Sequence, residues 1–142
     1  MGGYITLPIF SKSMPGKIHI INVNTDDCSN KKNYFYCGRS KNGNPLGNPF
    51  TYDGKKSSLA KLSFKTREDA INAYRLYFQR TYNKPGHEDL TNKFNEIYEH
   101  YKNDEDIYLG CWCYPLPCHT QVIAEELQKK LIKEKLKERI VH

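Results

Sequence analysis

Residues 17–24 form a short, nearly continuous run of apolar and β-branched side chains, and this run constrains the fold more than any other part of the chain. A strand that is apolar on both faces must be covered on both faces, as the strands of a parallel sheet are. Residues 33–39, which are rich in aromatic side chains, predict a second strand. Residues 106–113 predict a third, because apolar side chains alternate along them. These strands indicate a sheet that needs helices on its faces.

Two amphipathic helices are predicted between the second and third strands. Thr66 begins a capping-box pattern with Asp69 in place of glutamate, and apolar side chains then recur at helical spacing. The same spacing over residues 90–101 predicts the second helix. A final helix is expected to start near Cys118 and His119. The chain therefore predicts a small single α/β domain, with a short, mostly parallel sheet of three or more strands and flanking helices.

The 142 residues of the chain suffice for one packed domain and are few for two. We expect an N-terminal arm over residues 1–16, the α/β domain over residues 17–128 and a basic helical extension over residues 129–142. No apolar run approaches the roughly 20 residues of a membrane helix, and the first residues lack a signal-peptide pattern. We therefore expect a cytoplasmic protein with no membrane partner.

The net charge of +6 is unevenly distributed, with +7 over residues 1–65 and −3 over residues 66–110. A basic half attracts phosphate-bearing partners, either a nucleotide or a nucleic acid. Charge does not choose between these partners, and it leaves open whether the chain forms homo-oligomers.

A long loop rich in Gly, Pro and Asn follows the second strand, over residues 40–58. Long loops in small domains are often functional, although an ordinary series of surface turns is the alternative. Arg39 and Lys41 can contact phosphate oxygens, Asn48 can bond to an amide or ribose edge, and Phe50 can stack on a base. We expect these four side chains to bind a ligand.

A segment with three cysteines and a histidine lies at residues 111–119. A helix N-terminus at Cys118 and His119 would bind phosphate through backbone amides and the imidazole. It would also lower the pKa of the Cys118 thiol, so we expect Cys118 to react faster than Cys111 or Cys113. If the strands are parallel, this segment and the glycine-rich loop converge beyond the carboxyl ends of the strands.

Zinc is the alternative for this segment, with Cys111, Cys113, Cys118 and His119 as the four ligands. The spacing is unusual for zinc, and free cysteines in strands usually behave as small buried apolar side chains. We therefore expect no cofactor and no metal. Trp112 alternates with the two cysteines of its strand, and we expect it in the core, where its loss would cost several kcal/mol.

Four short motifs together resemble an uncharacterised domain family of bacteria and their phages: Gly38-Arg39, Asn48-Pro49-Phe50, Cys111-Trp112-Cys113 and Pro115-x-x-Cys118-His119. The resemblance covers about residues 17–128. It implies a compact α/β domain and no agreed activity. The site that it implies comprises Arg39, Asn48, Phe50, Cys111, Trp112, Cys113, Cys118 and His119. Thr120 departs from the family pattern, which has glycine after Cys-His, and so does the lysine-rich C-terminus.

These features favour a protein that binds a nucleotide-derived small molecule through the basic loop and the Cys-His helix start. In a phage, such a protein would sequester a signalling nucleotide of the host. One alternative is an enzyme acting on nucleosides or nucleotides through Cys118 or Asp53, for which no base can be placed from the sequence. The other is a zinc-stabilised module that binds nucleic acid or protein, with the basic residues 129–139 as its surface.

Overall fold

A computed structural model describes residues 14–26, 30–41, 43–52 and 62–141. Most of the expected N-terminal arm lies outside these residues, as do Cys28 and Asp53. The strands of the described part are β1 (Ile18–Asn22), β2 (Tyr34–Tyr36), β3 (Phe50–Tyr52), β4 (Leu62–Phe64) and β5 (Ile107–Cys111). Its helices are α1 (Arg67–Thr81), α2 (Glu88–Lys102) and α3 (Thr120–Val141).

The main sheet has the order β1-β5-β2, and both of its strand pairs are parallel. Leu109 of β5 lies opposite Ile20 on one side and Phe35 on the other. Because all three strands run in one direction, their carboxyl ends meet at the same edge of the sheet. The predicted small α/β domain with a parallel sheet is confirmed.

A second, two-stranded parallel sheet joins β3 to β4, with Thr51 opposite Ser63. The sequence predicted only loop over residues 40–58, so β3 corrects that prediction. Its three residues are aromatic or β-branched, as strands favour, but a run of three is too short to show a period. This small sheet packs on α1.

The cap predicted for α1 is confirmed, because the Thr66 hydroxyl accepts a hydrogen bond of 3.0 Å from the backbone N–H of Asp69. This bond satisfies one of the N–H groups that a helix start leaves unpaired. The apolar faces of α1 and α2 are buried as the periodicity predicts. The buried side chains of the two helices are Ala70, Ile71, Tyr74, Phe78, Leu90, Phe94, Ile97, Tyr98 and Tyr101.

The core lies between the main sheet and the helices and is unusually aromatic. Phe78, Phe94 and Tyr82 form edge-to-face and stacked pairs with ring centroids 4.9–5.6 Å apart. Fully buried Tyr74 donates a 2.9 Å hydrogen bond to the carbonyl of Leu46, which is itself fully buried. This bond fixes the glycine-rich loop to α1.

α3 starts at Thr120, two residues after the predicted position, and buries Val122, Ile123 and Leu127. The helix continues without a break across the predicted boundary at residues 128 and 129, and Leu131 still packs on the core. In the part of the chain that the structure describes, no helix combines the length and the apolar character needed to cross a membrane.

Candidate functional site

A cavity of about 370 Å³ opens at the edge where the carboxyl ends of the main strands meet. Four parts of the chain line it: the residues after β2, the strand β3, the first turn of α1, and residues 111–119. The glycine-rich loop and the cysteine-rich segment therefore meet at this edge, as expected. This convergence follows from the parallel order, because each strand delivers the residues that come after it to this edge.

Arg39 lies in the wall of this cavity, directly after β2. Its Nη1 donates to the carbonyls of Asn48 and Phe50, at 2.8 and 3.0 Å, and so joins the start of the loop to residues near its middle. Its Nε and Nη2 make no hydrogen bond with another described residue.

Asn48 and Phe50 also line the cavity. The Asn48 side-chain oxygen accepts a hydrogen bond of 2.9 Å from the N–H of Phe50, which sets the turn into β3. The Phe50 ring is held edge-to-face by Phe64 and Tyr77, at centroid distances of 5.5 and 6.0 Å. Lys41 is exposed and does not line the cavity, so the structure brings together three of the four loop residues predicted to bind.

Arg67, the first residue of α1, is a cavity residue that the sequence analysis missed. Its Nη1 donates to the carbonyl of Pro117 at 3.0 Å, and its Nη2 donates to the Tyr52 hydroxyl at 2.6 Å. The guanidinium also lies 4.9 Å from the centre of the Tyr52 ring. The sequence does hold a signal for this residue. A positive charge in the first turn of a helix interacts unfavourably with the helix dipole, so an arginine there indicates a contact outside the helix.

The described residues that line the cavity include two guanidinium groups and no carboxylate. Arg39 reaches it from the loop and Arg67 from the helix, so the two charges come from separate elements that are each fixed by hydrogen bonds. Fixed positive charges in a partly enclosed site attract and hold anions. The geometry therefore suits a ligand with an anionic group.

Cys111, Cys113 and Cys118 are thiols that line the same cavity. Thr120, which is fully buried, connects two of them. Its hydroxyl oxygen lies 2.7 Å from the Cys118 sulfur, and the hydroxyl donates to the Cys111 sulfur at 3.8 Å. Thr120 was noted from the sequence only as a departure from the family pattern, whereas the structure places its hydroxyl between two of the thiols.

The hydrogen bonds within this cluster move the thiol pKa values in opposite directions. Donation from the Cys118 thiol and from the backbone N–H groups of Cys113 and Tyr114 lowers the pKa of Cys111 to about 6. The bonds that Cys118 makes to Cys111 and Cys113, together with burial, raise its own pKa. The expectation that Cys118 is the acidic thiol is therefore wrong. The helix begins only at Thr120, and the donors surround Cys111 instead.

His119 is buried beside the cavity and connects α3 to the loop. Its Nε2 donates to the carbonyl of Cys37, and its ring packs edge-on against Tyr74 at a centroid distance of 4.9 Å. Burial and the nearby charge of Arg39 lower its pKa to about 4, against the opposing effect of the Cys37 hydrogen bond. His119 therefore meets any ligand as a neutral imidazole.

Trp112 was expected in the core, and the structure contradicts this: its side chain is 57% exposed. β5 ends at Cys111, so the alternation that would have buried Trp112 stops one residue before it. The indole N–H donates to the Tyr36 hydroxyl at 2.7 Å, and Trp112 lines the cavity. Trp112 therefore belongs to the lining of the cavity and not to the core.

Among residues 14–26, 30–41, 43–52 and 62–141, no group of three or more His, Cys, Asp or Glu side chains is arranged to hold a metal ion. Two of the four proposed zinc ligands show why. The Nε2 of His119 bonds to the Cys37 carbonyl, and the sulfur of Cys118 bonds to Thr120.

The fold and the cavity define a class: a small α/β domain with a candidate anion-binding site at the carboxyl edge of a parallel sheet. The chain belongs to the family described as Domain of unknown function (DUF4326), whose model matches residues 21–129. The resemblance to an uncharacterised domain family is thereby confirmed. No curated protein and no solved structure matches the chain.

Proposed function

We propose that this protein binds a nucleotide-derived small molecule in the cavity between the glycine-rich loop, α1 and residues 111–119. One observation carries the proposal: Arg39 and Arg67 reach the cavity from two separate elements, and no carboxylate opposes them among the described lining residues. Guanidinium groups bind phosphate oxygens in a planar, two-pronged geometry, which makes them well suited to a phosphorylated ligand.

The size and the aromatic lining favour a nucleotide over a larger partner. The cavity of about 370 Å³ is near the lower end of the range of roughly 300–1,000 Å³ typical of small-molecule sites. Trp112, Tyr52 and Phe50 line it and offer ring surfaces for a flat base. An enclosed site of this size fits a mononucleotide better than a nucleic-acid strand.

The proposed setting is the cytoplasm. We propose that this chain acts there as a phage protein that sequesters a signalling nucleotide of its host. In that role the protein acts by lowering the free concentration of the nucleotide, so affinity is the property that matters.

Trp112 is the only tryptophan of the chain, so its fluorescence reports on the cavity directly. The test is a titration with a panel of nucleoside monophosphates, diphosphates and dinucleotides, each beside the nucleoside that lacks phosphate. We expect at least one phosphorylated compound to change the Trp112 emission saturably. Its nucleoside should bind at least about tenfold more weakly, because it lacks the charged hydrogen bonds.

Arg67→Gln should weaken the binding of that compound about 10- to 100-fold, the effect of losing one or two charged hydrogen bonds. Arg80→Gln is the matched control, because Arg80 is exposed and lies in the last turn of the same helix. Both substitutions remove one positive charge. Equal affinity of Arg67→Gln and wild type, or no saturable response to any compound of the panel, would contradict the proposal.

A further inference from the structure

We propose that Cys111 and Cys118 form a redox-active dithiol in the wall of the cavity, in which Cys111 is the attacking thiolate, Cys118 is the resolving thiol and hydroperoxides are the oxidants. The proposal goes beyond ligand binding and does not depend on it. It rests on the placement of the two sulfur atoms and of the groups around them.

The Cys111 sulfur is surrounded by hydrogen-bond donors. The backbone N–H groups of Cys113 and Tyr114 donate to it from the turn that follows β5. The Thr120 hydroxyl donates from the start of α3, at 3.8 Å. Several donors around one sulfur stabilise its anionic form, and the thiolate is the form that reacts with oxidants.

The Cys118 thiol is placed to reach the Cys111 sulfur. Both sulfur atoms contact the Thr120 hydroxyl oxygen, that of Cys118 at 2.7 Å and that of Cys111 at 3.8 Å. Residues 114–117, which join the two cysteines through the turn, are exposed and are not packed in the core. The proposal requires this turn to move and bring the two sulfur atoms to bonding distance.

Access separates this pair from Cys37. Cys111 and Cys118 are buried but line the cavity, whereas Cys37 does not, so the cavity is the route by which a small oxidant would reach them. Cys37 is fully buried, and burial raises the pKa of its thiol to about 12. Cys37 is therefore an internal control for oxidation within the same molecule.

The chemistry proceeds in two steps. The Cys111 thiolate attacks the hydroperoxide: an S–O bond forms, the O–O bond breaks, and the alkoxide or hydroxide leaves and takes a proton from water. The Cys118 sulfur then attacks the Cys111 sulfur of the resulting sulfenic acid. An S–S bond forms, the S–O bond breaks, and hydroxide leaves as water with the Cys118 proton. The two thiols are oxidised, and the peroxide is reduced to an alcohol and water.

The experiment exposes the folded protein to hydrogen peroxide, alkylates the remaining thiols under denaturing conditions, and maps the products by mass spectrometry. Cleavage after Trp112 separates Cys111 from Cys113 and Cys118, and fragmentation then identifies its partner. We expect a Cys111–Cys118 disulfide that forms at least tenfold faster than any oxidation of Cys37. Cys118→Ser should instead accumulate a sulfenic acid at Cys111, trapped by dimedone.

Thr120→Val tests the donors, because valine keeps the shape of threonine and removes the hydroxyl. We expect it to slow Cys111 oxidation several-fold while the circular dichroism spectrum stays unchanged. A disulfide that joins Cys113 to either neighbour, oxidation of Cys111 no faster than that of Cys37, or an unchanged rate in Thr120→Val would overturn the proposal. The mapping of the wild-type protein decides the pairing even if a cysteine variant fails to fold.

Discussion

At the scale of single residues, His119 acts through its neutral form. Its Nε2–H donates to the Cys37 carbonyl, and this bond ties the start of α3 to the chain leaving β2. A second proton would place a positive charge in a buried site beside Arg39, which is why the pKa falls to about 4. The unfolded chain has no such penalty and takes up the proton near the ordinary pKa of 6.5.

This difference predicts how stability depends on pH. Between pH 6.5 and pH 4 the unfolded chain binds a proton at His119 that the folded chain does not, so acid favours unfolding. Above about pH 6.5, His119 should not change the free energy of unfolding. By pH 4, its protonation in the unfolded chain should lower that free energy by about 3 kcal/mol, since each pKa unit between the two states is worth about 1.4 kcal/mol. Urea unfolding across this range measures the effect.

The comparison variant is His119→Gln, which keeps a donor at the corresponding position and does not titrate. Glu105 and Asp106 also lose stabilising interactions in acid, because hydrogen bonds to Asn33 and to the Lys17 backbone N–H lower their pKa values. Both proteins share that loss. If the stability of the wild type falls no more than that of His119→Gln between pH 6.5 and pH 4.5, His119 protonates in the folded state.

At the scale of elements, the last residue of β2 holds the segment after β5. The Tyr36 hydroxyl accepts from the indole of Trp112 at 2.7 Å and donates to the carbonyl of Arg39 at 3.1 Å. A Cβ atom at Gly38 would lie 2.3 Å from this hydroxyl, so a side chain there forces the Tyr36 ring to move. Glycine at position 38 is therefore needed for close approach.

Gly38→Ala should release Trp112 from its hydrogen bond while leaving the main sheet intact. We expect the emission of Trp112 to shift to longer wavelength as the indole gains exposure, with a loss of stability of about 1–2 kcal/mol. Tyr36→Phe is the control, because it removes the same hydrogen bond and leaves glycine at position 38. It should give the same shift in emission. An emission spectrum identical to that of the wild type in both variants would show that the bond does not position Trp112.

The elements also show what a sequence can and cannot reveal. The cap of α1 is local: Thr66 and Asp69 are three residues apart, so the pattern alone predicts it. The edge at which the cavity forms follows once the strands are taken as parallel. The contact of Arg67 with Pro117 joins residues 50 positions apart and leaves no local pattern. Trp112 was misplaced because alternation along β5 does not show where the strand ends.

At the scale of the whole molecule, helix α3 contacts the rest of the domain beyond the boundary predicted at residue 128. Beyond that point Leu131 packs on the core, and Glu134 accepts a hydrogen bond of 2.8 Å from the Tyr98 hydroxyl of α2. The following side chains of the helix, up to residue 139, are mostly exposed. We therefore expect about two turns of the predicted extension to contribute to the stability of the domain.

Two truncations test this extent. A chain that ends at residue 135 should keep the stability of the full chain to within about 1 kcal/mol, because the described side chains that it loses are exposed. A chain that ends at residue 128 should lose about 2–4 kcal/mol, through the burial of Leu131 and the Tyr98 hydrogen bond. Equal midpoints of thermal unfolding for the two truncations would place the end of the domain at residue 128.

The strand order also determines when the protein can fold while it is being made. β1 and β2 do not pair with each other, and the strand that joins them, β5, is completed only at Cys111. The ribosome must therefore synthesise most of the chain before β5, the central strand of the main sheet, is available. Until then both outer strands emerge with unpaired backbone groups, which other chains can pair with. The strand order therefore leaves these outer strands open to aggregation until β5 has been made.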